Sequence, residues 1–115
     1  MSDSVIDPSA FNGLKEVGGA DFINELIDTF LEDAPRMLED LGLALANNNA
    51  ELFRRTAHSL KSNSNTFGAL ALADLAKELE LIGREDQLDT VGDKLDKLSA
   101  EYVKVESALK GMRNA

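Results

Sequence analysis

One stretch of the chain, residues 57–69 with the sequence AHSLKSNSNTFGA, combines side chains that could carry out chemistry. It contains His58, the single histidine of the chain, and Lys61 three residues later. At that spacing an imidazole and an ammonium lie one turn apart on the same face of a helix. Neutral imidazole is a good nucleophile near pH 7, and a phosphoryl group taken by a ring nitrogen would carry negative charge. Lys61 could then reach the phosphoryl oxygens as a mobile point charge.

The composition argues against several other kinds of site. The chain has 115 residues and a net charge of −9, from 12 basic and 21 acidic residues, whereas proteins that bind nucleic acids neutralise phosphates with lysine and arginine. With one histidine and no cysteine, a zinc or copper site would need an unusual set of carboxylates. The GxSxG pattern of a nucleophile elbow is absent. We therefore expect no nucleic acid partner, no metal site and no cofactor.

Length and hydropathy define the class of protein. The length fits a single domain over residues 1–115, of which residues 1–6 are predicted to form a flexible tail. No apolar run approaches the roughly 20 residues that a membrane span needs, and the first residues lack the basic and apolar regions of a secretory signal. The absence of cysteine excludes a disulfide framework. We interpret the chain as a cytoplasmic protein with no membrane contact.

The apolar residues recur at helical spacing, so helices must position the stretch. A short N-terminal helix is predicted to start at Asp7-Pro8 and to end at Gly18-Gly19. A long helix is predicted over residues 20–47. Its apolar stripe keeps its phase across Pro35, so we predict a bend at this proline rather than two separate helices.

Three further helices are predicted. They cover residues 49–67, followed by Gly68; residues 69 or 70 to 82, closed by Gly83; and a last segment capped by Asp86 or Asp89, whose apolar stripe runs from Leu88 to Met112 with Gly92 inside it. Long helices joined by short loops lie antiparallel to their neighbours. The predicted fold is therefore all-α, an up-down-up-down antiparallel four-helix bundle with the short additional N-terminal helix packed over one end. We expect a monomer.

Helical geometry turns His58 away from the core. At about 100° per residue, it lies about 140° from the centre of the apolar side of its helix. That apolar side is formed by Phe53, Ala57, Leu60, Ser64 and Phe67. Near His58 the same geometry places Arg54, Arg55, Lys61, Ser62 and Asn65. None of the six positions, His58 included, is acidic. The local charge is therefore positive although the net charge of the chain is negative, which suits the binding of an anion. Ser62 is small, which leaves room for another protein to approach.

The stretch closely resembles the phosphoacceptor motif of histidine phosphotransfer (HPt) domains and of the related N-terminal domain of chemotaxis histidine kinases. The matching features are the His-x-Leu-Lys core, the small and polar residues after it, and the helix end at Phe67-Gly68-Ala69. The resemblance extends through residues 52–54 and 75–83, and the helix lengths fit along essentially the whole chain. It implies that His58 is phosphorylated on Nε2 and that Lys61 supports the phosphoryl group. It also implies a partner, a histidine kinase or a response-regulator receiver domain that brings Mg²⁺.

The docking surface departs from the family pattern at three positions after the lysine. The family most often has glycine directly after the lysine, where this chain has Ser62. Asn63 and Asn65 stand where the family usually prefers smaller residues, which suggests that they tune partner choice. Phe11 and Leu14 of the first helix either cap the core or leave an exposed edge beside His58 for docking.

Two functions of different classes are compatible with this sequence. One is a phosphoryl carrier of a two-component phosphorelay, with no kinase machinery of its own, because nothing in the chain resembles an ATP-binding loop or a Mg²⁺-binding acidic cluster. The alternative is a non-catalytic helical interaction module in which His58 is an incidental surface residue. An HPt-derived domain with phosphatase-like or anti-kinase behaviour is a third option that the sequence does not separate from the first.

Overall fold

The computed structural model describes residues 5–113, and these residues form helices and no strand. The elements are α1 (Pro8–Ala46), α2 (Ala50–Thr66), α3 (Leu70–Arg84), a 3-10 turn (Leu88–Thr90) and α4 (Lys94–Met112). α2 packs against α1 and α3, and α4 packs against the same two helices. The four helices therefore surround one core, and the predicted antiparallel four-helix bundle is confirmed. Within residues 5–113, no helix has the length and apolar character to cross a membrane.

α1 is broken at Gly19 and nowhere else. Gly19 has φ 81° and ψ −175°, the only non-helical backbone angles within this helix. The predicted end of a short first helix at Gly18-Gly19 is therefore confirmed. Pro35 lies inside α1 and the backbone stays helical there, as expected for one continuous helix across the proline.

The cap residue of α1 is hydrogen-bonded to the turn that follows α2. The Asp7 side chain accepts a hydrogen bond from the Ser9 N–H and so caps the helix. The Asp7 N–H donates to the Gly68 carbonyl at 2.8 Å. Ile6 is 2% exposed and belongs to the core, so the prediction of a tail over residues 1–6 is wrong at Ile6. Residues 1–4 lie outside the described residues.

The start of the last helix is also corrected. Asp86 does not cap this helix. It lies in the turn that ends α3, where it has φ 54° and its N–H donates a hydrogen bond to the Gly83 carbonyl at 3.1 Å. Leu88 and Val91 are buried as predicted, but they precede α4 rather than belong to it. Gly92, at φ 56°, lies in the turn before α4, so it carries no cost as a glycine inside a helix. The core itself follows the predicted stripes, with Leu98, Tyr102, Val105 and Leu109 buried on α4.

Candidate functional site

His58 lies on the solvent-facing side of α2, a helix that is capped at both ends. At its start, the Asn49 side chain accepts a hydrogen bond from the Leu52 N–H at 3.1 Å. At its end, Gly68 adopts φ 74° and its N–H donates to the Asn65 carbonyl at 3.0 Å. On the opposite side, Phe53, Ala57, Leu60 and Ser64 are fully buried. The side chain of His58 is 56% exposed, as its helical phase predicts.

A buried carboxylate from α3 lies against the histidine. Glu80 is 3% exposed, and its Oε2 lies 2.8 Å from Nδ1 of His58. Its other oxygen, Oε1, lies 2.7 Å from Nζ of Lys61. Arg84, one turn further along α3, donates from Nη2 to Oε2 at 3.1 Å. One carboxylate therefore holds the imidazole, the ammonium and a guanidinium together.

The environment of Glu80 keeps it ionised. Burial alone raises the pKa of this carboxyl, but hydrogen bonds with Lys61 and His58, and the charges of both, lower it further than burial raises it. The net result is a pKa below the ordinary value of 4.5. Near neutral pH, Glu80 is thus a buried anion whose charge is compensated by its partners.

The carboxylate also fixes the tautomer of His58. An ionised carboxylate only accepts hydrogen bonds, so Nδ1 of the imidazole carries the proton that it donates to Glu80. In the neutral ring, Nε2 then holds the lone pair. The nitrogen that can act as a nucleophile is therefore defined by a contact on the other side of the ring.

Small residues bring α3 close enough to α2 for this contact. Ala73, Ala76 and Gly83 share the buried side of α3 with Glu80. A Cβ on Gly83 would lie 2.9 Å from the backbone nitrogen of Arg54, so only glycine fits there without displacing α2. The prediction from sequence followed the leucines of α3 and missed Glu80. An acidic residue at helical spacing from Ala73, Ala76 and Gly83 was the signal that could have found it.

Comparison with known proteins places the chain in a family. Residues 25–114 match the family model of the Hpt domain. The chain belongs to the Hpt domain family. Its fold is similar to the crystal structure of histidine-containing phosphotransfer protein B (HptB) from Pseudomonas aeruginosa PAO1, with a TM-score of 0.90, 32% identity and coverage of 97% of this chain and 96% of that one. It is also similar to the sensor protein TorS of Escherichia coli (strain K12), at 29% identity over 79 residues, or 69% of this chain.

This Hpt domain is a histidine phosphotransfer protein of the phosphorelay class, which confirms the predicted function. It is a phosphoryl carrier rather than an enzyme in the usual sense. The chain spans 9% of the length of TorS. Within residues 5–113, no group of three or more His, Asp or Glu side chains is placed to hold a metal ion.

The predicted docking residues of the Hpt domain differ in their surroundings. Ser62 and Asn65 are exposed on α2. Arg54 is half-buried, with Nη2 2.8 Å from Oε2 of Glu51, and the exposed Arg55 has Nε 3.8 Å from the same oxygen. Because Glu51 lies on this surface and the buried Glu80 lies directly beneath it, the surroundings of His58 are less basic than the six positions on α2 alone predict.

The first helical part of the Hpt domain contributes less surface than expected. Phe11 is 7% exposed and belongs to the core, so it takes the first of its two predicted alternatives and caps the core. Leu14 is half-buried and packs against that core, which leaves part of its side chain accessible.

Proposed function

We propose that His58 is the phosphoacceptor of this Hpt domain and that Nε2 is the reacting atom. The observation that carries the proposal is the 2.8 Å contact between Nδ1 and Glu80, which leaves the lone pair on Nε2 of a ring whose side chain is 56% exposed. A nucleophile must be accessible and carry a lone pair, and in the neutral ring this arrangement places that lone pair on the exposed nitrogen. The aspartyl phosphate of a receiver domain supplies the phosphoryl group, and the reverse step returns it.

The phosphoryl group can be transferred to His58 without a proton leaving the site. Nε2 attacks phosphorus, the N–P bond forms, and the bond between phosphorus and the aspartyl oxygen breaks, with the electron pair leaving on the carboxylate. Nδ1 keeps its proton, so the phosphorylated ring becomes a cation. Glu80 faces that proton and stabilises the positive charge as it develops, which favours the transition state over the neutral ground state.

Lys61 is proposed to stabilise the phosphoryl group. Its side chain is 27% exposed, and Glu80 holds Nζ at 2.7 Å, one turn after His58. An ammonium has three donors, so it can turn towards phosphoryl oxygens at the edge of the ring. Lys61 thus acts on the transferred group and Glu80 on the ring.

The proposed partners are a response-regulator receiver domain and a histidine kinase that approach over the exposed turn of α2 containing Ser62 and Asn65. His58, Lys61 and Glu80 belong to one chain, so a monomer is sufficient for this chemistry. A cytoplasmic location stays a prediction from composition.

A transfer assay tests the assignment. The chain is mixed with purified receiver domains that carry phosphate on aspartate, and we expect acid-labile, base-stable phosphate on the wild type and none on His58→Gln. Lys110→Ala, on α4, is the control and should be labelled like the wild type. If no receiver or kinase labels the chain, or if His58→Gln is labelled equally, the assignment fails. If His58→Gln then still binds partners normally, the interaction-module alternative holds.

A further inference from the structure

The Glu80 carboxylate has more cationic partners than its own charge requires. Lys61 contacts Oε1 at 2.7 Å, whereas Arg84 contacts Oε2 at 3.1 Å, the same oxygen that accepts from His58. With a neutral imidazole, Lys61 alone balances Glu80. Arg84 therefore gives the unphosphorylated site one positive charge in excess.

Phosphorylation removes that excess. The phosphorylated ring gains one positive charge on the imidazole and two negative charges on the phosphoryl group, which is a net gain of one negative charge. With Arg84 present, the site becomes neutral; without it, the site would carry a net negative charge around a buried carboxylate. Like charges at such short range are unfavourable.

The separate oxygens decide which cation can move. Lys61 can leave Oε1 for the phosphoryl group without disturbing the bond between Arg84 and Oε2. Arg84 then stays in contact with Glu80, because it lies one turn further along the same helix. The side chain of Arg84 is 57% exposed. Without Arg84, the phosphorylated ring would be the one cationic partner left on Glu80 once Lys61 had turned away, and a buried carboxylate that loses cationic partners is destabilised.

We propose that Arg84 is a positioning residue that holds Glu80 while Lys61 turns to the phosphoryl group, and that it thereby sets the equilibrium between phosphohistidine and the aspartyl phosphate of the receiver. This inference rests on His58 being the phosphoacceptor. Arg84 stabilises the phosphorylated state through Glu80, so its effect is expected on the equilibrium constant of transfer. The effect of Arg84 on this equilibrium constant also requires a charged Glu80.

The equilibrium constant of transfer between a phosphorylated receiver and the chain tests the proposal. Arg84→Ala should shift the equilibrium roughly three- to fivefold towards the receiver, the upper part of the range for a partly exposed charge pair. Arg84→Lys should restore most of the wild-type value. The matched control is Lys110→Ala, which removes the same charge from an exposed i,i+4 pair with Glu106 on α4 and should leave the equilibrium unchanged.

A second background shows whether Arg84 acts through Glu80. In Glu80→Gln, the further change Arg84→Ala should shift the equilibrium less than twofold, because no buried anion remains to be held. An equal shift in both backgrounds would overturn the proposal, since Arg84 would then act on the phosphoryl group directly. An unchanged equilibrium in Arg84→Ala, with the wild type labelled on His58, would also overturn it and leave the proposed function intact. A wild type without label on His58 would refute the proposed function itself.

Discussion

Glu80→Gln is the substitution that tests the electrostatics of the site most directly. Glutamine keeps the shape of the side chain and an oxygen that can accept from Nδ1 of His58, but it removes the charge. Orientation and tautomer of the ring are therefore preserved, while the carboxylate that faces the developing imidazolium is lost. We expect slower phosphoryl transfer to His58 with the fold retained.

The size of the effect follows from the kind of hydrogen bond that is replaced. The ring donates to this acceptor before and during transfer, so only the strengthening of the bond as the ring becomes a cation affects the rate. We take its size as the difference between a bond to a charged partner, about 1.5–3 kcal/mol, and a neutral one, about 0.5–1.5 kcal/mol, which gives about 1–2 kcal/mol. This corresponds to a factor of about 5–30 in rate. The upper Coulomb estimates for a dry interior do not apply, because Lys61 and Arg84 already compensate the same carboxylate.

The assay is single-turnover transfer from a phosphorylated receiver, followed by quenching at successive times. Glu101→Gln is the matched control, because it neutralises another largely buried glutamate, one that pairs with Lys104 on α4, and it should leave the rate unchanged. Thermal unfolding of both variants checks the fold. A rate for Glu80→Gln within twofold of the wild type would refute the role of its charge.

Three further changes test docking, the turn after α2 and pH dependence. Ser62→Phe places a bulky side chain on the exposed turn of α2, so it should lower the affinity for the receiver, measured by titration, without lowering the melting temperature. An unchanged affinity would mean that the receiver does not approach there. Gly68→Ala should destabilise by about 1–3 kcal/mol in denaturant unfolding, because φ is 74° and a Cβ would lie 2.7 Å from that of Asp7; Gly13→Ala, with open space around its Cβ, should not, and equal effects would contradict this. Because the pKa of Glu80 is lower in the folded protein than its ordinary value of 4.5, the ionised carboxylate stabilises the fold above pH 4.5, and this stabilisation is lost as the pH falls through the lowered pKa. We therefore expect the free energy of unfolding of the wild type to fall more steeply in acid than that of Glu80→Gln, and identical pH slopes would contradict this.

The parts of the fold that depend on local signals were predictable. Both ends of α2 are determined by residues within a few positions of them, Asn49 as a side-chain cap and Gly68 as a residue with positive φ. The apolar stripe between them sets the phase of the helix, and that phase placed His58 outward. The break at Gly19 depends on a local glycine pair in the same way.

The start of α4 was not predictable from the stripe. Leu88 and Val91 are three residues apart, a spacing that an α-helix and a 3-10 turn share. Both residues are buried, so the pattern identified core positions correctly and their backbone conformation wrongly. The positive φ angles of Asp86 and Gly92 end one helix and delay the next. Such angles are uncommon for any residue other than glycine, even aspartate, so Asp86 alone did not predict one.

Glu80 depends on an approach of two helices that no local pattern encodes. It meets His58 across 22 residues of sequence, and only because Gly83 lets α3 lie against the backbone of Arg54. A hydrophobic pattern assigns an acidic residue to the exposed side by default. His58 and Lys61 were therefore visible on α2, whereas the carboxylate that contacts both of them was not.

The arrangement of charges suits a carrier better than a trap. A phosphoryl carrier must accept its group and give it away again, so the phosphorylated state must not be far lower in free energy than the aspartyl phosphate of the partner. In the proposed reaction Glu80 stabilises the cationic ring, but it also holds Lys61, so part of the attraction between Lys61 and the phosphoryl group is offset by the loss of a 2.7 Å contact. Because part of the gain on phosphorylation is offset by the loss of this contact, the arrangement favours reversible transfer.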